Sequence, residues 1–263
     1  MRALVLAGGG AKGSFQVGVL QRFTPADFGL VVGCSVGALN AAGFAHLGSH
    51  GIKDLWQGIR SRDDILSRVW WPFGSDGIFS QKPLEKLVSK ACTGPARVPV
   101  HVATVCLERG LVHYGISGDS DFEKKVLASA AIPGVVKPVK IHGDHYVDGG
   151  VREICPLRRA IDLGATEITV IMCAPEYIPT WSRSSSLFPF VNVMIRSLDI
   201  LTDEILVNDI AECVAKNKMP GKRHVKLTIY RPKKELMGTL DFDPKAIAAG
   251  IKAGTEAQPR FWE

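Results

Sequence analysis

The sequence predicts an α/β fold, a three-layer α/β/α arrangement whose central sheet is mostly parallel. Three features predict it. Short apolar runs recur without polar alternation, at residues 2–7, 30–32 and 167–173, as strands buried on both faces require. Segments of helical periodicity separate these runs, so strands and helices alternate along the chain. No linker rich in Pro, Gly or Ser splits the 263 residues, which therefore read as a single domain over 1–263.

The elements follow in order. Residues 2–7 form the first strand. Residues 14–23 place Phe15, Val17, Val19, Leu20 and Phe23 at roughly helical spacing. Residues 30–32 are a second buried strand that runs into Gly33. Residues 36–47, VGALNAAGFAHL, are small and apolar and suit a helix packed tightly on a sheet; 52–59 predict another helix. The texture changes at 67–79, SRVWWPFGSDGIF, where Trp70, Trp71, Phe73 and Phe79 stand among turn residues. They read as core, or as an apolar lip over a groove. Residues 83–92 return to helix through Leu84, Leu87, Val88 and Ala91. Residues 98–107 and 111–116 predict a hairpin. A helix over 119–131, capped by Ser117 or Asp119, ends before Pro133. Short strands at 139–141 and 145–147 flank a Gly143-Asp144 turn. A helix over 156–163 closes at Gly164, and 167–173 is a strong buried strand. A loop containing Pro179, Ser184 and Pro189 leads to a long helix over 190–216, a last strand at 226–230 and a last helix at 244–253.

Composition bounds the function. The chain is 46% hydrophobic and 22% charged, as ordinary globular proteins are. No run of about 18 apolar residues predicts a spanning helix. The N-terminal apolar run stops at Gly8, too short for a signal-peptide core. These features predict a cytoplasmic protein. Six scattered cysteines without a CxxC pair read as reduced, mostly buried thiols. The net charge of +6 is concentrated: residues 216–234 hold eight Lys/Arg and no acid. This stretch is either a solvated face or a peripheral contact with anionic membrane. No aromatic residues interleave with basic ones as a base-stacking groove needs, so nucleic acid is not an expected partner.

The stretch LVLAGGGAKGSFQVGVL, residues 4–20, joins a strand to a helix through a glycine loop. Gly8, Gly10 and Gly13 fit a dinucleotide fingerprint, but no Asp or Glu lies between Gly29 and Ile52 to hold a ribose. A phosphate loop of the GxxxxGK[ST] type also fails, because here Lys12 precedes Gly13. The next strand ends in GCSVG, residues 33–37, a G-x-S-x-G pattern in strand–turn–helix context. Such a turn presents Ser35 as a nucleophile, with Gly33 and Gly37 small enough for the turn to close. The glycine loop on the neighbouring strand offers bare N–H groups for an oxyanion. A third strand ends in YVDGG, where Asp148 beside Gly149 and Gly150 is either a turn residue or a base for the serine.

Together these segments resemble the patatin-like phospholipase family: GGGAKG, GCSVG and DGG appear in that order, with SAAIPGV ahead of YVDGGV and DGIFSQKPLEKLV at 76–88. The resemblance runs from about residue 4 to 173, and more loosely to Asp209. It implies a lipid acyl hydrolase acting on phospholipids or lysophospholipids, with a Ser–Asp dyad and no metal or organic cofactor. Ser35 takes the nucleophile's place and Asp148 the base's. Gly8, Gly9, Gly10, Lys12 and Gly13 take the oxyanion loop, with donors near Gly9 and Gly10. Lys12 stands where many members carry Arg.

Two rivals remain at this point. An α/β-hydrolase with a histidine triad would use His224 by chain order. A non-catalytic lipid-binding protein would keep the fold alone. His142 and His145 lack a third ligand and read as surface residues, so no metal site is expected. Cys34 reads as packing beside the serine.

Overall fold

In the computed structural model the described residues are 1–69, 76–175, 177, 189–217, 219 and 224–262. Strand β1 (Arg2–Leu6) leads through the glycine loop into helix α1 (Ser14–Leu20). Next come β2 (Leu30–Cys34) and α2 (Val36–Gly58). The two helices expected between 36 and 59 are the two halves of α2. They meet at Gly48, whose φ of 77° breaks the helical path. Strands β3 (Ser67–Arg68) and β4 (Gly77–Ser80) precede α3 (Lys82–Ala91). The hairpin of β5 (Val100–Cys106) and β6 (Leu111–Ile116) is followed by α4 (Phe122–Ser129).

That helix starts later than expected, and neither predicted cap caps it. The residue before its first turn is Asp121, without a side-chain capping bond. Ser117 Oγ instead accepts the Val100 N–H at 2.9 Å, and Asp119 accepts the Ile116 N–H at 3.3 Å. Both polar groups serve the end of the hairpin. Strand β7 (Gly134–Val136) then leads to β8 (Val139–Ile141) and β9 (Asp144–Asp148). Ile141 pairs with Asp144, so the turn is His142-Gly143, one residue earlier than expected. Both turn residues have positive φ, 50° and 97°, as a type I′ hairpin turn requires. The chain continues through α5 (Leu157–Asp162), β10 (Glu167–Ile171), α6 (Pro189–Asn217), β11 (Lys226–Tyr230), α7 (Pro244–Glu256) and β12 (Arg260–Trp262). Trp70, Trp71 and Phe73 lie outside the described residues. So do Lys218, Lys222 and Arg223 of the basic stretch.

The main sheet runs β12-β11-β10-β1-β2-β5, then β9 and β8, with β6 also paired to β5. From β11 to β5 it is parallel, and only the flanking strands are antiparallel. Alternate residues of each inner strand enter different cores. Leu4, Leu6 and Val31 pack with α1, α2 and α7 residues such as Phe15, Phe44 and Ile251. Ala3, Val5 and Val32 pack with Leu157 and Ala160 of α5 and Cys213 of α6. The sheet is therefore the middle of three layers. Each fully buried Leu or Phe contributes roughly 1.5–3 kcal/mol. All six cysteines are thiols outside any disulfide, and five are buried.

Candidate active site

The register of β5 brings two distant segments together. β6 covers one edge of β5 from His101 to Cys106. The other edge is shared: β2 pairs with Val100 to Ala103, and β9 pairs with Thr104 to Cys106. β2 is parallel to β5 and β9 antiparallel, so their C-terminal ends face each other across one residue step. Cys34 pairs with Ala103 and Asp148 with Thr104. Ser35 follows Cys34 directly, which places it against Asp148.

Ser35 sits in a strained turn. Its φ of 56° and ψ of −129° are rare for a residue with a side chain and cost on the order of 1–3 kcal/mol. The surroundings hold it there. Its N–H donates to Ser129 Oγ at 2.9 Å, and that hydroxyl donates to Ala103 O at 2.6 Å. A Cβ on Gly33 would lie 2.3 Å from Gly37 O, and one on Gly37 2.1 Å from Leu6 O. No other residue fits at either position. Helix α2 begins at Val36, so its N-terminal dipole lies beside the serine.

Asp148 is 5% exposed. It accepts the Gly150 N–H at 2.8 Å and the Cys34 thiol at 3.7 Å on Oδ1, and it hydrogen-bonds with the Ser35 side chain. Burial lifts its pKa to about 6, and the hydrogen bonds hold it back from rising further. Gly149 is obligatory here, since a Cβ would come within 2.5 Å of Ala103 O and 2.9 Å of Cys34 Sγ. Burial, then the neighbouring Asp148, pushes the Cys34 thiol well above its ordinary value, so it stays protonated.

The structure narrows the glycine loop. The Gly8 N–H donates to Ile154 O at 3.0 Å, and the Lys12 N–H to Gly9 O at 3.3 Å. The amides of Gly9 and Gly10 have no acceptor among the described residues, and both glycines line the cavity that holds Ser35. Gly8 lies behind the serine: a Cβ there would stand 3.0 Å from Ser35 Cβ. Gly13 packs on α2, where a Cβ would come within 2.4 Å of Val36 Cγ2. Lys12 is buried and pairs with Asp199 of α6 at 3.6 Å, and Asp199 also accepts Thr239 Oγ1 at 3.3 Å. Nothing local in the sequence marks Asp199 or Thr239, and Ser129 shows there only as part of SAAIPGV.

Ser35 opens onto two cavities. One, about 1040 Å³ with its open mouth, holds Asp148, Lys12, Asp199, Asp203 and Glu235 among its walls. The other, about 880 Å³ with its open mouth, is lined by Leu39, Ile52, Leu55, Leu84, Leu87 and Phe242. None of the seven histidines lines either cavity. His224 lies exposed before the N-terminal end of β11, whereas Ser35 follows the C-terminal end of a strand parallel to it. His142 and His145 face Asp121 and Glu108 on the surface. No cluster of metal-ligating residues occurs among the described residues. No helix of the described residues is long and apolar enough to cross a membrane.

The family model for patatin-like phospholipase matches residues 4–161. The uncharacterised protein YjjU of Escherichia coli is 27% identical over 88% of this chain, which spans 68% of it. An uncharacterised NTE family protein of Mycobacterium tuberculosis is 27% identical over 76% of the chain, which spans 57% of it. Lysophospholipase NTE1 of Cryptococcus neoformans is 22% identical, and the match covers 99% of this chain but 17% of that protein. Among solved structures, VipD from Legionella pneumophila superposes with a TM-score of 0.50 at 15% identity, covering the whole chain and 68% of its own. That likeness concerns the fold.

Proposed function

Because this chain belongs to the patatin-like phospholipase family, we propose that it hydrolyses carboxylic esters of phospholipids or lysophospholipids through Ser35 and Asp148. The observation that carries this reading is the end-to-end meeting of β2 and β9 on β5, which sets a strained serine against a buried carboxylate. Ser35 Oγ attacks the ester carbonyl carbon while Asp148 accepts the hydroxyl proton. A pKa of about 6 leaves Asp148 ionised at neutral pH yet more basic than an ordinary carboxylate. The carbonyl oxygen becomes an oxyanion, and the Gly9 and Gly10 amides donate to it. The intermediate collapses, the C–O bond to the alcohol breaks, and Asp148 returns the proton to the leaving oxygen. Water then attacks the acyl-serine, giving its proton to Asp148, and the fatty acid leaves as Ser35 regains its hydrogen.

The two cavities support a division of the substrate. The apolar chamber takes the acyl chain, and the chamber with Lys12, Asp199 and Asp203 takes the alcohol with its head group. Peripheral contact with anionic membrane through part of residues 216–234 completes the reading. The test is labelling with a fluorophosphonate, alongside hydrolysis of phosphatidylcholine and lysophosphatidylcholine. Wild type should label and hydrolyse, and Ser35→Ala should do neither. A folded wild type that neither labels nor hydrolyses would sink the proposal.

A further inference from the structure

One buried pair of amide side chains holds both ends of the glycine loop. Gln16 Nε2 donates to Ala7 O at 2.7 Å and to Ile171 O at 3.0 Å. Ala7 is the residue before Gly8. Asn40 Nδ2 donates to Gly13 O at 3.0 Å, at the loop's other end. The two amides are joined to each other, since Asn40 Nδ2 also donates to Gln16 Oε1 at 2.8 Å. Trp56 Nε1 completes the set by donating to Asn40 Oδ1 at 2.8 Å. Gln16 and Asn40 have no solvent exposure. Such groups are retained in an apolar interior only with their bonds satisfied. Asn40 lies on α2 five residues after Ser35. The pair therefore ties the loop to the helix that carries the serine.

We propose that Gln16 and Asn40 are positioning residues that fix the Gly9 and Gly10 amides relative to Ser35. This rests on the acyl-hydrolase reading for its effect on turnover, though not for its effect on the loop. Between Ala7 and Gly13 the other tethers are the Ala7 N–H to Ile171 O at 3.1 Å, the Cys173 thiol to Ala7 O at 3.7 Å, the Gly8 N–H to Ile154 O, the Ala11 N–H to Thr239 O at 2.8 Å, one internal bond and the Lys12–Asp199 ion pair. Removing the amide donors takes a buried hydrogen bond from each loop end at once. Displacement of oxyanion donors by about 1 Å lowers turnover on the order of 100-fold.

The test uses the near-isosteric variants Asn40→Leu and Gln16→Met, with Trp56→Phe as a milder one that removes the outer donor and part of the ring that lines the apolar chamber. Hydrolysis of p-nitrophenyl butyrate should lose about 100-fold in kcat in the first two, with KM within twofold of wild type. A phosphonate inhibitor, which carries the tetrahedral anion, should lose affinity by the same factor. Trp56→Phe should show the same pattern at about fivefold. Amide hydrogen exchange at Ala11 and Lys12 should quicken at least tenfold, while α7 amides stay unchanged. A pair with only a structural role would lower the melting temperature and leave kcat and phosphonate affinity alone. Should the larger variants fail to fold, Trp56→Phe decides by the same readouts. Wild-type inactivity would refute the hydrolase reading, and hydrogen exchange would still judge the clamp. Unchanged exchange at Ala11 and Lys12, or kcat within threefold in folded Asn40→Leu, overturns it.

Discussion

The two chambers beside Ser35 share the serine and part of the glycine loop, but differ in what their walls can bond. In the apolar chamber the side chains of α2 and α3 that face inward are aliphatic or aromatic. Its buried amide, Asn40, is already engaged with Gly13, Gln16 and Trp56. Beyond Ser35 and Thr239, which line both chambers, the polar side chains that a substrate group would meet there are this engaged amide and the Trp56 indole bonded to it. The other chamber presents Lys12, Asp199, Asp203 and Glu235, with Thr202 and Thr239 between them. Burial raises Asp203, and the nearby Arg231 offsets part of that rise. On the proposed reading, a phospholipid ester would lie in one orientation, with its carbonyl at the junction. Selectivity for acyl chain and for head group would, on that reading, be carried by separate walls and could be changed separately.

The largest expected effect ignores the division, because it strikes the junction. Asp148→Asn and Ser35→Ala should each lose roughly 1000- to 10000-fold in kcat, since an amide accepts no proton from the serine. The loss should be the same on acetyl and palmitoyl esters. Single His→Ala variants at 46, 50, 101, 113, 142, 145 and 224 should retain most activity, as none of these side chains reaches the cavities. A folded His224→Ala enzyme as inactive as Asp148→Asn would replace the dyad by a triad.

A second effect separates the chambers. Leu55→Trp and Leu87→Trp enlarge half-buried walls of the apolar chamber. Each buried methylene of an acyl chain contributes about 0.8 kcal/mol, so excluding a few of them costs roughly 10- to 100-fold in kcat/KM. p-Nitrophenyl palmitate should show that loss, and p-nitrophenyl acetate should stay within twofold. An unchanged chain-length profile in a folded variant would mean that acyl chains lie elsewhere.

The third effect is again common to both chambers. With Asp148 at about 6, kcat/KM should fall about tenfold per pH unit below that value and level off above it. Short- and long-chain esters should share the midpoint. Stability carries the same signature with a different reading. Between the ordinary value of 3.8 and about 6, the folded state keeps a proton that the unfolded state has lost. Stability from this group therefore declines as pH rises through that window. Thermal melts of Asp148→Asn should match wild type near pH 4 and exceed it at pH 7, by on the order of 2–3 kcal/mol. A variant equally stable at both pH values, relative to wild type, would show that the carboxylate is not strained by burial.

Much of this arrangement was legible because backbone geometry leaves marks in sequence. Gly33 and Gly37 are required by close approach of Gly37 and Leu6 carbonyls, so the turn shows as G-x-S-x-G. Gly149 is required by Ala103 O, which makes the Asp-Gly-Gly visible. Apolar strands buried on both faces gave the parallel sheet. Other features depend on partners far away in the chain. Gln16 and Asn40 look like ordinary polar residues on helices, and nothing local says that their targets are Ala7 O and Gly13 O. The sharing of one β5 edge by β2 and β9 is a matter of register, invisible in residues 98–107. Ser117 and Asp119 resemble helix caps, but the hairpin end claims them first.

The basic stretch 216–234 shows the same limit and yields the smallest effect. In sequence its eight cations look like one patch. In the fold β11 passes through it and divides it. Lys226 starts the strand at the end of the sheet away from Ser35, whereas Lys233 and Lys234 follow its C-terminal end, just before Glu235 of the polar chamber. Arg231 is committed, donating to Ala174 O at 3.4 Å and to Pro175 O. Lys233 and Lys234, both exposed, directly precede Glu235 of that chamber in the chain. A lysine close to an anionic bilayer contributes on the order of 1 kcal/mol, about fivefold in affinity. Neutralising Lys233 or Lys234 to Gln should therefore weaken sedimentation with phosphatidylserine vesicles about fivefold each, and rising salt should erase the difference. Lys226→Gln should bind as wild type does, because a membrane facing the chamber mouth cannot also face the far end of β11. Equal weakening by Lys226→Gln would mean that the stretch acts as a diffuse charge without orienting the enzyme. Equal binding of wild type to neutral and anionic vesicles would remove electrostatic recruitment and leave the mouth of the polar chamber to meet its lipid without it.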